Sequence, residues 1–351
     1  MSQKLDSTLY VVVPCALAAA AAAAARQGER FPALESLLAE ATVARDAQSL
    51  EQATSRLLGI EHDTAPIAAL RLAAQDPPAA RDGFWLCADP VRVELSADNI
   101  HIAGRCEDLT TDETATLVAA LNGSLGGDGL SFVATDPAHW YVRCDVAQAV
   151  STVPLRRAIG PPIRELLPRG AAGPRWRTLL NEVQMLLHAH PVNAAREESG
   201  RSRVGSLWWW GEGRWPAASV PVVDVSSGGP TWIASACGLN GIARGASDAG
   251  AVMHAIAAGK RVLWAVADDW EAEATDAVVR LAAHDRSLQP LADALADRRI
   301  PGATLWFDDE EAALRVTVSA PRRSLRDSFR RATGRQAPRV PLAATLARMA
   351  R

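Results

Sequence analysis

No two cysteines of this chain stand at CxxC spacing, and their total of five is odd (Cys15, Cys87, Cys106, Cys144 and Cys237). Scattered single thiols give neither a disulfide framework nor a zinc cage of paired cysteines. They suit small buried hydrophobes in a reducing cytoplasm. The chain also lacks a P-loop, a GxSxG elbow, an HExxH pair and a strand-borne GxGxxG, so the chemistries those motifs carry have no vehicle here. An excess of one charge is missing too. The 37 basic and 40 acidic residues leave a formal net charge of -3, with no general pull toward nucleic acid. Only residues 9–25 form a long apolar run. Lys4 before it resembles the start of a signal peptide, but Asp6 offsets that charge, Pro14 divides the run and Arg26 closes it. No other stretch is apolar for the ~18 residues that a membrane-spanning helix requires. The expectation is a soluble cytoplasmic protein that binds neither membrane nor nucleic acid.

What is present fits a large globular core. The 351 residues are 48% hydrophobic and 22% charged, enough for one large or two medium domains. Leu9 to Val13 is β-branched and aromatic and predicts a buried strand, with the alanines after Pro14 as a helix packed on it. Leu34, Leu37 and Leu38 repeat at helical spacing after Pro32, and residues 49–58 predict a second helix that ends at Gly59. Residues 75–82 are a proline-broken connector. The grammar then changes. Val91 to Leu95 alternates, Ala97 to Asn99 turns, and Ile100 to Ile102 returns. Thr110 and Glu113 stand at capping-box spacing before a helix closed by Gly123, and residues 130–133 and 140–143 predict two more strands.

This organisation divides the chain into an α/β core from residues 1–82 and 154–330, an inserted α+β subdomain at 83–153, and a basic tail at 331–351. A Pro/Gly-rich stretch from Pro154 to Pro174 returns the chain to the core, and residues 178–188 predict an amphipathic helix. Strands at 261–266 and 304–307, with a helix near 274–283 between them, favour a largely parallel sheet covered on both faces.

The candidate site residues cluster in one stretch. Asn181, Gln184 and His188 fall at i, i+3 and i+7 of the amphipathic helix and form a polar stripe. Such a stripe suits a small polar ligand, or equally a polar edge against the inserted subdomain. Pro191 ends the helix, Asn193 is placed to cap the next one, and His190 reads as a packed or capping histidine before a ligand. Gly211 and Gly213 let backbone approach a ligand or a neighbouring chain, and Arg214 beside them suits a phosphate or carboxylate. Asp268 and Asp269 follow one predicted strand, and Asp308 and Asp309 another, where an open α/β sheet places a site. They are the candidates for metal. No histidine accompanies either pair, and residues 308–312 also read as a hairpin turn.

A helix ending in His190-Pro191-Val192-Asn193, followed by Ser206-Leu207-Trp208-Trp209-Trp210 and Gly211-Glu212-Gly213-Arg214, resembles the central segment of the archaeal-type cofactor-independent phosphoglycerate mutases. Those belong to the alkaline phosphatase superfamily. Trp85-Leu86-Cys87-Ala88-Asp89-Pro90-Val91 and Trp140-Tyr141-Val142-Arg143 resemble proteobacterial phosphoglycerate-mutase-like proteins of the RpfE regulatory type. The resemblance implies an alkaline-phosphatase-like fold, two divalent metals held by Asp and His, and a serine nucleophile. The chain departs from that pattern. Val13-Pro14-Cys15-Ala16 stands where the family has Asp-Gly after its first strand, and His62-Asp63-Thr64-Ala65-Pro66 is a distant echo of the nucleophile segment Ser-Asp-x-Ala-His. The expectation is a non-catalytic mutase-like protein without cofactor, with a regulatory or ligand-binding role and a small polar or phosphorylated ligand or a protein as partner. The alternative is an active cofactor-independent phosphoglycerate mutase, or a related phosphoryl-transfer enzyme, with Mn or Zn on the four aspartates.

Overall fold

The computed structural model of the chain describes residues 8–16, 28–39, 41–60, 64–96, 99–268, 270, 277–308 and 313–320. The β-branched run near the start forms β1 (Leu9–Ala16). Pro32 opens α1 (Pro32–Leu38), and β2 (Thr42–Arg45) follows. Ser49 caps α2 (Leu50–Leu57): its hydroxyl accepts from Gln52 N while the Gln52 side chain accepts from Ser49 N. Next come the buried α3 (Ile67–Ala73), β3 (Phe84–Leu95) and β4 (Ile100–Arg105). Thr110 and Glu113 form the expected capping box of α4 (Thr111–Leu125), which runs through Gly123. After β5 (Leu130–Ala134) and β6 (Trp140–Cys144), α5 (Gly173–Ala189) and α6 (Pro191–Glu198) lead into β7 (Ser206–Gly213). The remainder alternates β8 (Val225–Ser227), α7 (Thr231–Asn240), β9 (Ala243–Gly245), α8 (Ala249–Ala257), β10 (Val262–Ala265) and α9 (Ala277–Ala296), then closes with β11 (Gly302–Asp308) and β12 (Ala313–Ser319).

These elements build a mixed α/β structure with two sheets. The seven-stranded sheet has the order β2-β12-β11-β1-β10-β8-β9. It is parallel from β11 to β9, with β12 and β2 antiparallel at one edge. Along β1, Tyr10 and Val12 enter one core with α2, α3 and α7. Leu9, Val11 and Val13 enter the other with α1, α8 and α9. A parallel sheet needs both faces covered, and the apolar run of β1 reflects that double burial. The early alanine run, the Ala97–Asp98 turn and the basic tail lie outside the described residues.

The five-stranded second sheet is larger than the 83–153 block that patterning delimits. β3 pairs antiparallel with β6 and β4 along one side and with β7 along the other. Its strands therefore come from residues 84–144 and 206–213, so the chain after Pro154 returns to this sheet before it returns to the first. Pairing of β7 with β3, from Val91 to Ser206, leaves no local pattern to read. One face carries α4 and α5, with Trp176, Leu179, Val183 and Leu187 against Leu86 and Trp209. The other face presents Trp85, Trp208 and Trp210 to the core shared with the first sheet. The tryptophan triplet thus divides between two faces, as strand alternation requires. Cys87, Cys106, Cys144 and Cys237 are free and buried. Among the described residues no helix is long and apolar enough to cross a membrane.

A buried ion pair ties α3, in the core shared by the two sheets, to the second sheet. Arg71 of α3 sets Nη1 and Nη2 against the two oxygens of Asp89 in β3, at 2.9 and 2.7 Å. Its Nε donates to the Tyr141 hydroxyl at 3.1 Å, and Trp210 Nε1 donates to Asp89 Oδ2 at 2.8 Å. The guanidinium also lies 4.7 Å from the Tyr141 ring centroid and 5.3 Å from that of Trp210. Burial alone would raise the Asp89 carboxyl, but the charge and hydrogen bonds of Arg71 outweigh it and hold the group below the ordinary aspartate range. Removing one partner of such a pair strands the other charge in the interior. We expect Asp89→Ala to destabilise the fold by about 3–5 kcal/mol in urea unfolding, where a solvent-exposed pair would cost under about 1 kcal/mol.

Candidate functional site

Where the two sheets face each other, a cleft of about 1400 Å³ opens at the C-terminal ends of the parallel strands. Pro14 at the end of β1, Asp308 at the end of β11, Glu51 from α2, Arg156 from the connector after β6, and Glu212 from β7 all line it. The position agrees with the rule that open α/β sheets place sites beyond their strand ends.

Arg156 organises the floor. Its Nε and Nη2 fork onto Asp308 at 2.9 and 2.6 Å, and Nη1 donates to Glu51 Oε1. The three side chains are only 5%, 9% and 4% exposed, and the Trp270 ring centroid lies 5.8 Å from the guanidinium. Across the cleft, the Thr152 hydroxyl donates to Glu212 Oε2 and the Thr64 hydroxyl donates to the Glu212 carbonyl at 3.2 Å. Burial pushes the Glu212 carboxyl up to about 7, although the Thr152 hydrogen bonds oppose it.

The residues singled out from the sequence occupy other places. α5 covers the face of the second sheet that carries Trp209, whereas the cleft lies on the Trp210 side. The stripe of Asn181, Gln184 and His188 therefore does not line the cleft. Asn181 and His188 are exposed, Gln184 Nε2 donates to Ser206 Oγ at 3.2 Å, and His188 Nδ1 lies 3.3 Å from Arg203 Nη1. His190 caps α6, accepting from Val192 N at 3.2 Å. Asn193 is not the cap, because α6 already begins at Pro191 and places it inside the first turn. It is fully buried, donating to Leu187 O and Val204 O and accepting from Val204 N. It clips the loop before β7 to the helix pair.

The glycines serve a chain contact. A Cβ on Gly213 would stand 2.5 Å from Pro66 Cβ, and one on Gly211 would stand 2.9 Å from Ile67 Cβ, so β7 packs directly on the start of α3. Gly211 reaches the cleft; Arg214 is exposed beyond it. Of the residues that do line the cleft, sequence reasoning missed Glu51, Thr152, Arg156 and Glu212. Glu212 stood between the two glycines, but nothing local marks a carboxyl as buried.

No family model matches the chain. A 2,3-bisphosphoglycerate-independent phosphoglycerate mutase of Methanosarcina barkeri is 30% identical over 145 residues, 39% of this chain and 36% of that protein. That of Methanosarcina mazei is 28% identical over 171 residues, 43% of this chain and 42% of the relative. The chain's homologues are cofactor-independent phosphoglycerate mutases. It spans less than half the length of these curated relatives. Among solved structures, the cofactor-independent phosphoglycerate mutase of Thermoplasma acidophilum aligns over 90% of each chain at 17% identity and a TM-score of 0.40.

The mutase resemblance implies divalent metals, and the described strand ends do not suit them. Both oxygens of Asp308 are engaged by a guanidinium, whose charge would repel a divalent ion at the same carboxylate. Asp268 accepts from Gly229 N at 3.0 Å and holds the loop after β8. Asp269, Asp309 and the His62-Asp63 echo lie outside the described residues. Among the described residues no three of His, Cys, Asp and Glu come together as a metal site.

Glu212 gives this cleft a pH signature. With an ordinary value of 4.5 raised to about 7 by burial, the folded chain keeps a proton that the unfolded chain has lost across that window. Stability therefore falls as pH rises from about 4.5 to about 7 and levels off above it. We expect Glu212→Gln to flatten this fall in a series of thermal melts. An unchanged slope would show that another group titrates there.

Proposed function

We propose that the chain is a phosphoglycerate-mutase-like protein that binds a small polar or phosphorylated ligand in the inter-sheet cleft without transferring its phosphoryl group. One observation carries the reading. Asp308, the described carboxylate at the strand end beside β1, is held on both oxygens by Arg156, and Pro14 lines the neighbouring strand end. Two-metal phosphoryl transfer requires carboxylates free to bridge cations that stabilise the attacking and leaving oxygens.

The cleft retains groups suited to holding an anion. Arg157 and Arg169 line it with the Thr64 and Thr152 hydroxyls, and guanidinium forks match phosphate and carboxylate geometry. Glu212, raised to about 7 by burial, carries less negative charge near neutral pH than an ordinary carboxylate and so repels an anion less. A regulatory role is what the likeness to RpfE-type proteins adds to this reading.

The test is an enolase-coupled assay of 3-phosphoglycerate conversion with and without Mn²⁺ and Zn²⁺. We expect no turnover above the blank and no change in melting temperature on adding EDTA. Metal-dependent turnover would overturn the reading. So would a large thermal loss on chelation, since a metal bound only to the native state stabilises it.

A further inference from the structure

We infer that Arg156 is the resident cation of a carboxylate site: its guanidinium stands between Glu51 and Asp308 in place of a divalent ion, and its removal leaves a pocket that takes up an external cation. The inference rests on the same cleft as the proposed function. It shares with that reading the premise that Asp308 is closed to metal in the native chain.

The geometry distinguishes this cluster from an ordinary inter-domain salt bridge. Arg156 forks onto Asp308 with two charge-assisted hydrogen bonds, which alone would tie the connector to β11. A second carboxylate, Glu51, nevertheless faces the same guanidinium from the first turn of α2. Two negative charges thus surround one positive charge, in side chains all less than a tenth exposed. Glu51 Oε2 is buried and has no hydrogen-bond partner among the described residues. A tie between domains has no use for an additional buried carboxylate, and an unpartnered charged oxygen is unfavourable in the interior. A divalent ion has use for both, because it brings two charges and binds six or more oxygens, several of them water. The cluster therefore keeps the acceptor groups of such a site, while the single charge of the guanidinium fills it and leaves one oxygen over.

Three chain segments meet here. Asp308 ends a strand next to the centre of the first sheet, Glu51 starts a helix beside it, and Arg156 arrives from the connector that follows β6. Only Arg156 belongs to a segment outside the first sheet and its covering helices, so it alone can leave without dismantling the carboxylate pair.

The experiment compares wild type, Arg156→Ala and Arg156→Lys by Mn²⁺ electron paramagnetic resonance. Melting temperatures are followed in parallel with methylguanidinium chloride, against sodium chloride at equal ionic strength. Arg156→Ala should bind about one Mn²⁺ per chain, the occupancy of a single two-carboxylate site. Methylguanidinium should restore part of its lost melting temperature while leaving wild type unmoved. Arg156→Lys keeps the charge and should exclude Mn²⁺ as wild type does. If Arg156→Ala does not fold, Arg156→Gln keeps a polar side chain of similar length and is read in the same way. The inference is overturned if the folded neutral variant takes up neither Mn²⁺ nor methylguanidinium. It is overturned equally if wild type or Arg156→Lys binds Mn²⁺ as tightly as the neutral variant. Phosphoglycerate turnover by wild type would instead sink the non-catalytic reading, and the Mn²⁺ counts of the variants would still decide this one.

Discussion

The arrangement of the two sheets depends on a charge that has been taken out of water. Arg71 stands on α3, which fills the core shared by the two sheets and packs on α7, β3 and β7, and Asp89 stands in the strand about which the second sheet is built. Neither carboxylate oxygen is left bare, because Trp210 and the main chain of Trp140 also donate to them. The two aromatic rings beside the guanidinium keep solvent out and present their electron-rich faces to it. Such a pair contributes little over a hydrophobic filling of the same shape, but it tolerates only one register. That register places Trp210, and with it Gly211 and Glu212, at the edge of the cleft. The position of the candidate site is thus fixed by an interaction outside it.

Within the cleft, positive and negative groups are closely matched, and the balance is local. Arg156 is committed to two acids, and burial raises the Glu212 carboxyl to about 7 against the opposing hydrogen bonds of Thr152. A ligand bound there, as proposed, would meet Arg157 and Arg169 beside several polar groups already arranged by their neighbours. This favours recognition of a particular shape and charge pattern over attraction of ions in general.

Much of the fold was legible because its signals are local. The buried first strand, the Thr110–Glu113 cap and the β3–β4 hairpin each follow from residues within a few positions of one another. The alternation of Trp208, Trp209 and Trp210 between faces follows from strand geometry alone. The site was less legible. Arg156 meets Glu51 across 105 residues and Asp308 across 152, and no spacing rule connects such positions. The polar stripe on α5 was a sound periodicity attached to the wrong face of a sheet, because the strand that decides the facing, β7, pairs with β3 from far along the chain. Asn193 was read as a cap since its residue type favours caps. His190, three positions earlier, took that place because Pro191 begins the helix.

The order of strands in the first sheet has a consequence for how the chain is made. β1 leaves the ribosome long before its two neighbours in the sheet, β10 and β11. The second sheet, by contrast, has all its strands once β7 has appeared. Vectorial synthesis therefore presents a completed antiparallel sheet while the apolar Leu9–Val13 run still waits for partners. An unpaired strand of that composition is the kind of segment that chaperones bind and that aggregates when they do not. Interrupting translation between β7 and β10 should leave the nascent chain in its most vulnerable state.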